Sequence, residues 1–344
     1  MDEKYFYNAV AISLLGSYSA IKKAKKGFLT WRDAFIELEK TAENMPDPTT
    51  AWEKLQKQDI ELVLSSEEQY PKLLREIPHP PFGIYIKGSL NALLVNKLNL
   101  AIIGTRRATS EGKDLAKHFA YEIASQDSTI ISGLAFGIDS AAHQGCLDAT
   151  GVTVAVFAGG LEEVYPRSNA RMAKKILETG GAFISEYPIG EAPLPYRFLA
   201  RNRIISGISQ GVLVVEAPEG SGSLATARFA LEQNRDVFVI PGTVLHPNFK
   251  GSHELIRQGA TLVTDPDDIL EAYGMEKSRT AKKKNIPAST EETLVLMVLE
   301  GAGMPLDVDK IIQLTRLEPR IANQTITFLL IKGFIKEVEG SYTI

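Results

Sequence analysis

The chain predicts an α/β protein built on a doubly wound, mostly parallel sheet. Two observations predict it. From Leu98 onward, short and fully apolar runs alternate with amphipathic segments. Apolar runs without period-2 alternation mark strands buried on both faces, as parallel strands are. Each run is followed by a helical stretch, and parallel neighbours need such a right-handed crossover. The predicted strands are Leu98–Ile103, Thr129–Ser132, Val152–Phe157, Ala182–Ser185, Val212–Glu216, Val237–Ile240 and Thr261–Thr264. The predicted helices lie near 111–126, 138–149, 169–179, 197–207, 223–234, 252–258 and 266–273. The order is Rossmann-like, so ligands are expected beyond the carboxyl ends of the strands.

Residues 1–70 read as an N-terminal helical domain of SAM or helix-hairpin-helix type. Phe6, Val10, Ile12, Leu14 and Leu15 lead to a stop at Gly16, Trp31–Leu38 is a second run, and Thr50 is the expected cap of a third. Lys22, Lys23, Lys25 and Lys26 between the first two read as a solvated face. Residues 59–90 read as a proline-rich connector wrapping the edge of the next domain, with Ile60–Leu64 strand-like and Phe82–Ile86 a short apolar run, because Pro71, Pro78, Pro80 and Pro81 resist regular interior structure. Residues 71–274 are the extended Rossmann-like domain and 275–288 a basic linker with Lys277, Arg279, Lys282, Lys283 and Lys284. Residues 289–344 follow a winged-helix pattern: three helices, the last opened by Pro319 and stopped by Gly333, then a hairpin around Glu339-Gly340. In that last helix Ile321, Ile326, Leu329 and Leu330 are expected to face inward. Residues 285–344 hold five Lys/Arg against eight Asp/Glu, and Arg320, Asn323 and Gln324 are a modest set for reading a groove, which points to protein contact.

The chain has 344 residues, 44% hydrophobic and 23% charged, with net charge −4. A polyanion site must therefore be a local patch. The single cysteine, Cys146, excludes an internal disulfide framework and thiolate metal sites, and fits a reducing cytosol. The start MDEKYFYNAV is unlike a signal peptide, no apolar run has a membrane span's length, and the five histidines show no metal spacing. A cytoplasmic location without a metal or cofactor is expected.

Anion-friendly residues recur where strands end. Arg106 and Arg107 follow the first strand, where a dinucleotide site would have glycines. The turn Gly133–Gly137 carries Phe136, and its two glycines permit positive φ and close approach. Gly220, Ser221, Gly222 and Ser223 precede a helix, so free N–H groups and hydroxyls form an anion nest, or an ordinary cap. Arg197, Arg201 and Arg203 flank Phe198 and Asn202, as a phosphate-binding face with a stacking ring or as a solvated basic helix, with Arg203 and Asn202 open to a role as buried supports of the loop. Asp139 and His143, one turn apart near Ser132 and Ser140, suggest a hydrolytic set, but GxSxG is missing and a capping role for Asp139 is the simpler reading. A row of such turns suits an extended polyanion.

These residues resemble the DNA-processing protein A (DprA/Smf) family. The likeness runs from Tyr70-Pro71 with Pro80-Pro81, through Gly104-Thr105-Arg106, Ser132–Ala135, Gly137-Ile138-Asp139, Tyr165-Pro166, Asn169, Arg201–Ile205, Val215-Glu216-Ala217 and Ser221–Ser223, to Val239–Gly242. The resemblance implies a non-enzymatic, homodimeric single-stranded DNA-binding protein that protects incoming DNA and loads the RecA recombinase during natural transformation. Arg106 matches the family's DNA-contacting arginine. The 133–137 turn, the 197–203 segment and the 220–223 nest are implied to line one pocket. Leu255, Ile256 and Leu262 fall near the family's dimer and recombinase surfaces. Two departures stand out: Phe136 replaces a commonly basic residue, and Gly251-Ser252-His253 replaces an asparagine. His253 offers a positive charge at mildly acidic pH. The alternative is a nucleoside monophosphate phosphoribohydrolase, but its signature glutamate is replaced by Phe229. A winged-helix transcription regulator is disfavoured by the acidic tail.

Overall fold

The structure, a computed structural model, describes residues 2–42, 45–275, 290–331, 334–338 and 340–343. Four helices open the chain: α1 (Glu3–Ser13), α2 (Tyr18–Lys25), α3 (Trp31–Glu39) and α4 (Pro48–Lys57). Then follow β1 (Glu61–Leu64), α5 (Lys72–Arg75), β2 (Gly83–Gly88), α6 (Asn91–Val95), β3 (Leu98–Ile103), α7 (Ser110–Ala124), β4 (Ser128–Ser132), α8 (Ile138–Asp148), β5 (Thr153–Val156), α9 (Ala170–Glu178) and β6 (Ala182–Ser185). The series closes with α10 (Pro195–Gly207), β7 (Gly211–Val214), α11 (Gly222–Glu232), β8 (Asp236–Val239), α12 (Lys250–Arg257), β9 (Thr261–Leu262) and α13 (Pro266–Ala272).

One nine-stranded sheet runs in the order β1-β2-β6-β5-β4-β3-β7-β8-β9. Strands β3 to β9 pair in parallel, while β1 and β2 join the β6 edge antiparallel. All seven runs predicted from apolarity are strands. Their alternate side chains feed opposite cores: Ala101 and Ile103 pack with Ile131 and Val214, and Leu100 and Ile102 with Ile130 and Leu213. The strand order reverses between β3 and β7, with the chain winding one way from β3 to β6 and the other way from β7 to β9, which makes that junction the topological switch point.

The connector expected over 59–90 is corrected. It supplies β1 and β2, and its prolines fall between them, where no ladder bond is needed. The buried Tyr70 hydroxyl donates to the Pro81 carbonyl at 2.8 Å and closes the excursion. Strand β2 carries the fully buried Ile84, Tyr85 and Ile86. On this side of the sheet Tyr7, Trp31 and Phe35 pack with Leu62, Tyr85, Phe157 and Phe183. The cap of α4 is Asp47, not Thr50: its carboxylate accepts from the Thr50 N–H at 2.7 Å, with Pro48 opening the helix.

The chain divides into two compact units, Met1–Lys277 and Ser278–Ile344. The second holds α14 (Thr290–Ala302), α15 (Val308–Thr315), α16 (Pro319–Ile331) and the antiparallel pair β10 (Lys336–Val338) and β11 (Ser341–Thr343). Val295, Leu299, Ile311, Ile326 and Leu329 form its core. Ile326 and Leu329 face inward as expected, but Ile321 is 39% exposed. The expected linker residues 276–288, Gly333 and Glu339 lie outside the described residues.

Two buried polar groups set the stability of the first unit. Arg203 donates to both carboxylate oxygens of Glu186, at 2.6 and 2.5 Å, and both residues are buried. Arg203→Met leaves Glu186 without a counter-charge. A loss of ~3–5 kcal/mol is expected, read as a lower urea midpoint at unchanged slope. Adding Glu186→Gln should recover part of it. His143 is fully buried with Nδ1 2.7 Å from the Thr153 hydroxyl, which itself donates to the Ile130 carbonyl. Nδ1 therefore carries the proton and Nε2 is bare, with no partner among the described residues. Burial, and then the nearby Arg201 charge, lower its pKa from 6.5 to about 3. Below about 6.5 the unfolded imidazole takes up a proton that the folded one refuses, so stability falls with pH, and the effect ends near 3. Across that window the loss is ~1.4 kcal/mol per pH unit. Urea unfolding of wild type and His143→Gln at several pH values should show this component gone in the variant.

Candidate functional site

Strand β3 ends against the loop that carries Arg106 and Arg107. That loop is fixed from below by Glu216, just beyond β7 and fully buried. The Glu216 carboxylate accepts from the Thr109 N–H at 3.1 Å, from the Thr109 hydroxyl, and from Asn248 Nδ2 at 2.8 Å. Asn248 Nδ2 also donates to the Arg107 carbonyl at 3.1 Å. Thr109 in turn caps α7, accepting from the Gly112 N–H at 2.9 Å. Arg106 and Arg107 remain exposed, without an ion-pair partner among the described residues.

The turn after β4 is held by Asp139. Its Oδ2 accepts from the N–H groups of Gly133, at 3.1 Å, and Ala135, at 3.4 Å. Burial raises its pKa, while the Arg201 charge and those two N–H groups act against the rise. Gly137 takes φ +78° and a Cβ there would strike the Thr105 carbonyl, so this position needs glycine. At Gly133 the reason is different: φ is ordinary, and the obstacle is the Arg201 guanidinium, which occupies the place of a Cβ. Asn169 Nδ2 closes the turn by donating to the Leu134 carbonyl at 2.8 Å.

Helix α10 opens with Pro195 and buries its three arginines for three separate purposes. Arg201 donates through Nη1 to the carbonyls of Gly133, at 3.0 Å, and Val156. Burial pushes its pKa down to about 10, against the favourable charge of Asp139, so it stays cationic at neutral pH. Arg197, 2% exposed, donates to the carbonyls of Ala192 and Leu15 and pairs with Glu191 at 2.6 Å. Arg203 holds Glu186. The expectation that all three arginines line one pocket is corrected: Arg197 and Arg203 point away from it, drawn by Glu191 and Glu186.

A cleft of about 540 Å³ opens at the switch point, beyond the carboxyl ends of β3 and β7. It brings together Arg106, Arg107, Phe198, Arg201, Asn202 and the segment Gly220–Ser223. The Arg106 guanidinium stands 4.8 Å from the Phe198 ring centroid, and that of Arg201 5.9 Å. Asn202 Nδ2 ties α10 to the Gly222 carbonyl at 3.2 Å. Ser221 caps α11 by accepting from the Ser223 N–H at 3.3 Å, so the cap and the nest are the same residues. The acids of the lining are the buried Asp139 and the exposed Glu219. Gly133 lines a neighbouring cleft instead, and Phe136, 51% exposed, lines neither. Leu199 lines the cleft with 51% of its surface exposed, a position the arginine spacing had hidden.

The hydrolytic set does not assemble. The Ser132 hydroxyl donates to the Ile102 carbonyl and that of Ser140 to the Ala135 carbonyl, while His143 faces Thr153. His253 donates from Nε2 to the Gly242 carbonyl at 3.0 Å and stacks on Phe249. Leu255 is in the core, which corrects its place on an outer surface; Ile256 is half-buried and Leu262 is 48% exposed. Among the described residues no group of three His, Cys, Asp or Glu is placed to hold a metal ion, and no helix is long and apolar enough to cross a membrane.

The family described as DNA recombination-mediator protein A matches residues 61–274. Protein Smf of Escherichia coli is 38% identical over 307 residues, 84% of this chain and 78% of its own. The DNA processing protein DprA of Bacillus subtilis is 39% identical over 235 residues, 68% of this chain and 77% of its own. The X-ray structure of DNA processing protein A from Streptococcus pneumoniae superposes with TM-score 0.61 at 32% identity, covering 78% of this chain and 93% of that one. The Helicobacter pylori protein, whose structure concerns its single-stranded DNA binding mode, gives TM-score 0.56 at 29% identity over 62% of this chain and 94% of that one. The switch-point cleft falls within the matched residues, and this chain belongs to the DNA recombination-mediator protein A family.

Proposed function

We propose that the chain binds single-stranded DNA in the switch-point cleft as a recombination mediator, not as an enzyme. One observation carries the reading: two unpaired arginines, a stacking ring and a helix N-terminus converge at the carboxyl ends of β3 and β7. Arg106, Arg107 and the first turn of α11 meet phosphates, and Phe198 meets a base. Family membership and the H. pylori relative's single-stranded DNA binding support it. Binding without turnover fits hydroxyls and an imidazole already committed to carbonyls and to Thr153, and Phe229 where a hydrolase glutamate would stand.

The mediator protects incoming DNA and delivers it to a RecA-type recombinase in the cytoplasm during natural transformation, with 289–344 as a winged-helix contact module and the helices α1–α4 as an accessory helical segment. It acts as a homodimer joined near the sheet edge. Support for that surface is β9, an edge strand with Leu262 exposed.

Gel shifts with single- and double-stranded oligonucleotides across a salt series test the reading. Tighter binding to the single strand is expected, with a log–log salt slope of about −0.7 per phosphate contact. Equal or better binding to duplex would sink it. Arg106→Ala should weaken binding and flatten the slope by ~0.7, and Phe198→Ala should cost ~1–3 kcal/mol with the slope unchanged. Arg203→Met, assayed where it is folded, should keep wild-type affinity. Leu262→Lys should yield monomers in size-exclusion chromatography with light scattering; a retained dimer would move the interface elsewhere.

A further inference from the structure

A second cleft, of about 480 Å³, lies beside the first along the same edge of the sheet. The first stands over β3 and β7. The second stands beyond the ends of β4 and β5, where Gly133 and Phe157–Gly160 leave the strands, and reaches Gly190–Pro193 after β6. Phe198 and Arg201 line both. Phe198 is therefore a shared wall, with the Arg106 guanidinium 4.8 Å from its centroid on the first side and the Tyr165 ring 5.7 Å away on the second. Tyr165 is 51% exposed.

The linings differ in sign. The second cleft carries Glu162, Glu163 and Glu191 against Arg167 and Arg201. Glu163 and Arg167 pair with each other, and Glu191 with Arg197. With these pairs made, the lining offers a phosphodiester no surplus of positive charge. Its apolar part, Phe157, Val164, Tyr165 and Phe198, suits an uncharged planar ring, and carboxylate oxygens accept from the N–H edge of a base.

We propose that the second cleft is a base subsite: a strand whose phosphates lie on the Arg106 side turns a further base across Phe198 onto Tyr165. This rests on the proposed binding in the first cleft. Parallel strands lie ~4.8 Å apart and the two clefts are centred two strands apart, so they are ~10 Å apart, a few nucleotides at the ~3.4 Å rise of a stacked strand.

The test is an abasic scan: short single-stranded oligonucleotides, each lacking one base, with affinities measured for wild type, Tyr165→Ala, Tyr165→Phe and Arg106→Ala. Wild type should show two sensitive positions a few nucleotides apart, each with a loss on the order of tenfold. Tyr165→Ala should lose sensitivity at one of them alone, Tyr165→Phe should keep both, and Arg106→Ala should bind every oligonucleotide more weakly. One sensitive position in wild type, or a Tyr165→Ala profile like wild type, overturns the second subsite and leaves the first standing. No sensitive position at all, with Arg106→Ala binding as wild type, overturns the first reading and the subsite with it.

Discussion

The architecture of the cleft depends on where the Arg201 guanidinium goes. A charged group in the interior is tolerated only when its donors find acceptors and its charge finds an opposite. Arg201 finds carbonyls at the ends of two neighbouring strands, Gly133 and Val156, and the field of Asp139. The same Asp139 organises the turn that supplies the Gly133 carbonyl. One charge thus locks a helix to two strand ends and a turn, and Gly133 has no side chain because the guanidinium fills that space. The orientation of α10 follows, and with it the placement of Phe198 between the two clefts.

Glu216 plays the matching part at the other wall. A fully buried carboxylate with three donors fixes the loop after β3 and the start of α7, so Arg106 and Arg107 project from a rigid base. Groups that face ligand are few, and the polar groups beneath them are committed to backbone. Such preorganisation lowers the ordering cost of binding. It also separates the arginines by environment: Arg106 is exposed in the cleft, whereas Arg203 is buried and committed to Glu186.

Six of the seven parallel strands were legible because burial writes itself as unbroken apolarity, and the exposed edge strand β9 was legible only by its place in the alternation of strands and helices. Of the two antiparallel strands, β1 was legible as the strand-like run at 60–64, whereas β2 showed only as a short apolar run framed by the prolines of the excursion between them. The sequence left Arg203 open between the pocket and a buried support, and it hid the burial of Arg197 and Arg201 for a deeper reason. Helical spacing says which residues share a face, not which faces are covered, and arginine is rarely buried unless paired. Here the deciding carboxylates, Glu186 and Glu191, sit upstream of α10, outside any helical period that includes it. The cleft itself was half legible: glycines, hydroxyls and arginines at strand ends mark it, but the shared Phe198 wall exists only once β4 and β5 stand side by side.

A chain of net charge −4 cannot draw a polyanion by its overall field. Two of the three arginines of α10 are neutralised by carboxylates, and the third lies buried between strand ends. What remains is a small set of exposed cations, one helix terminus and aromatic surface. Such a site draws proportionally more from stacking than from counterion release, because few phosphates are neutralised. Stacking resists salt and accepts every base, because every base has a π-face.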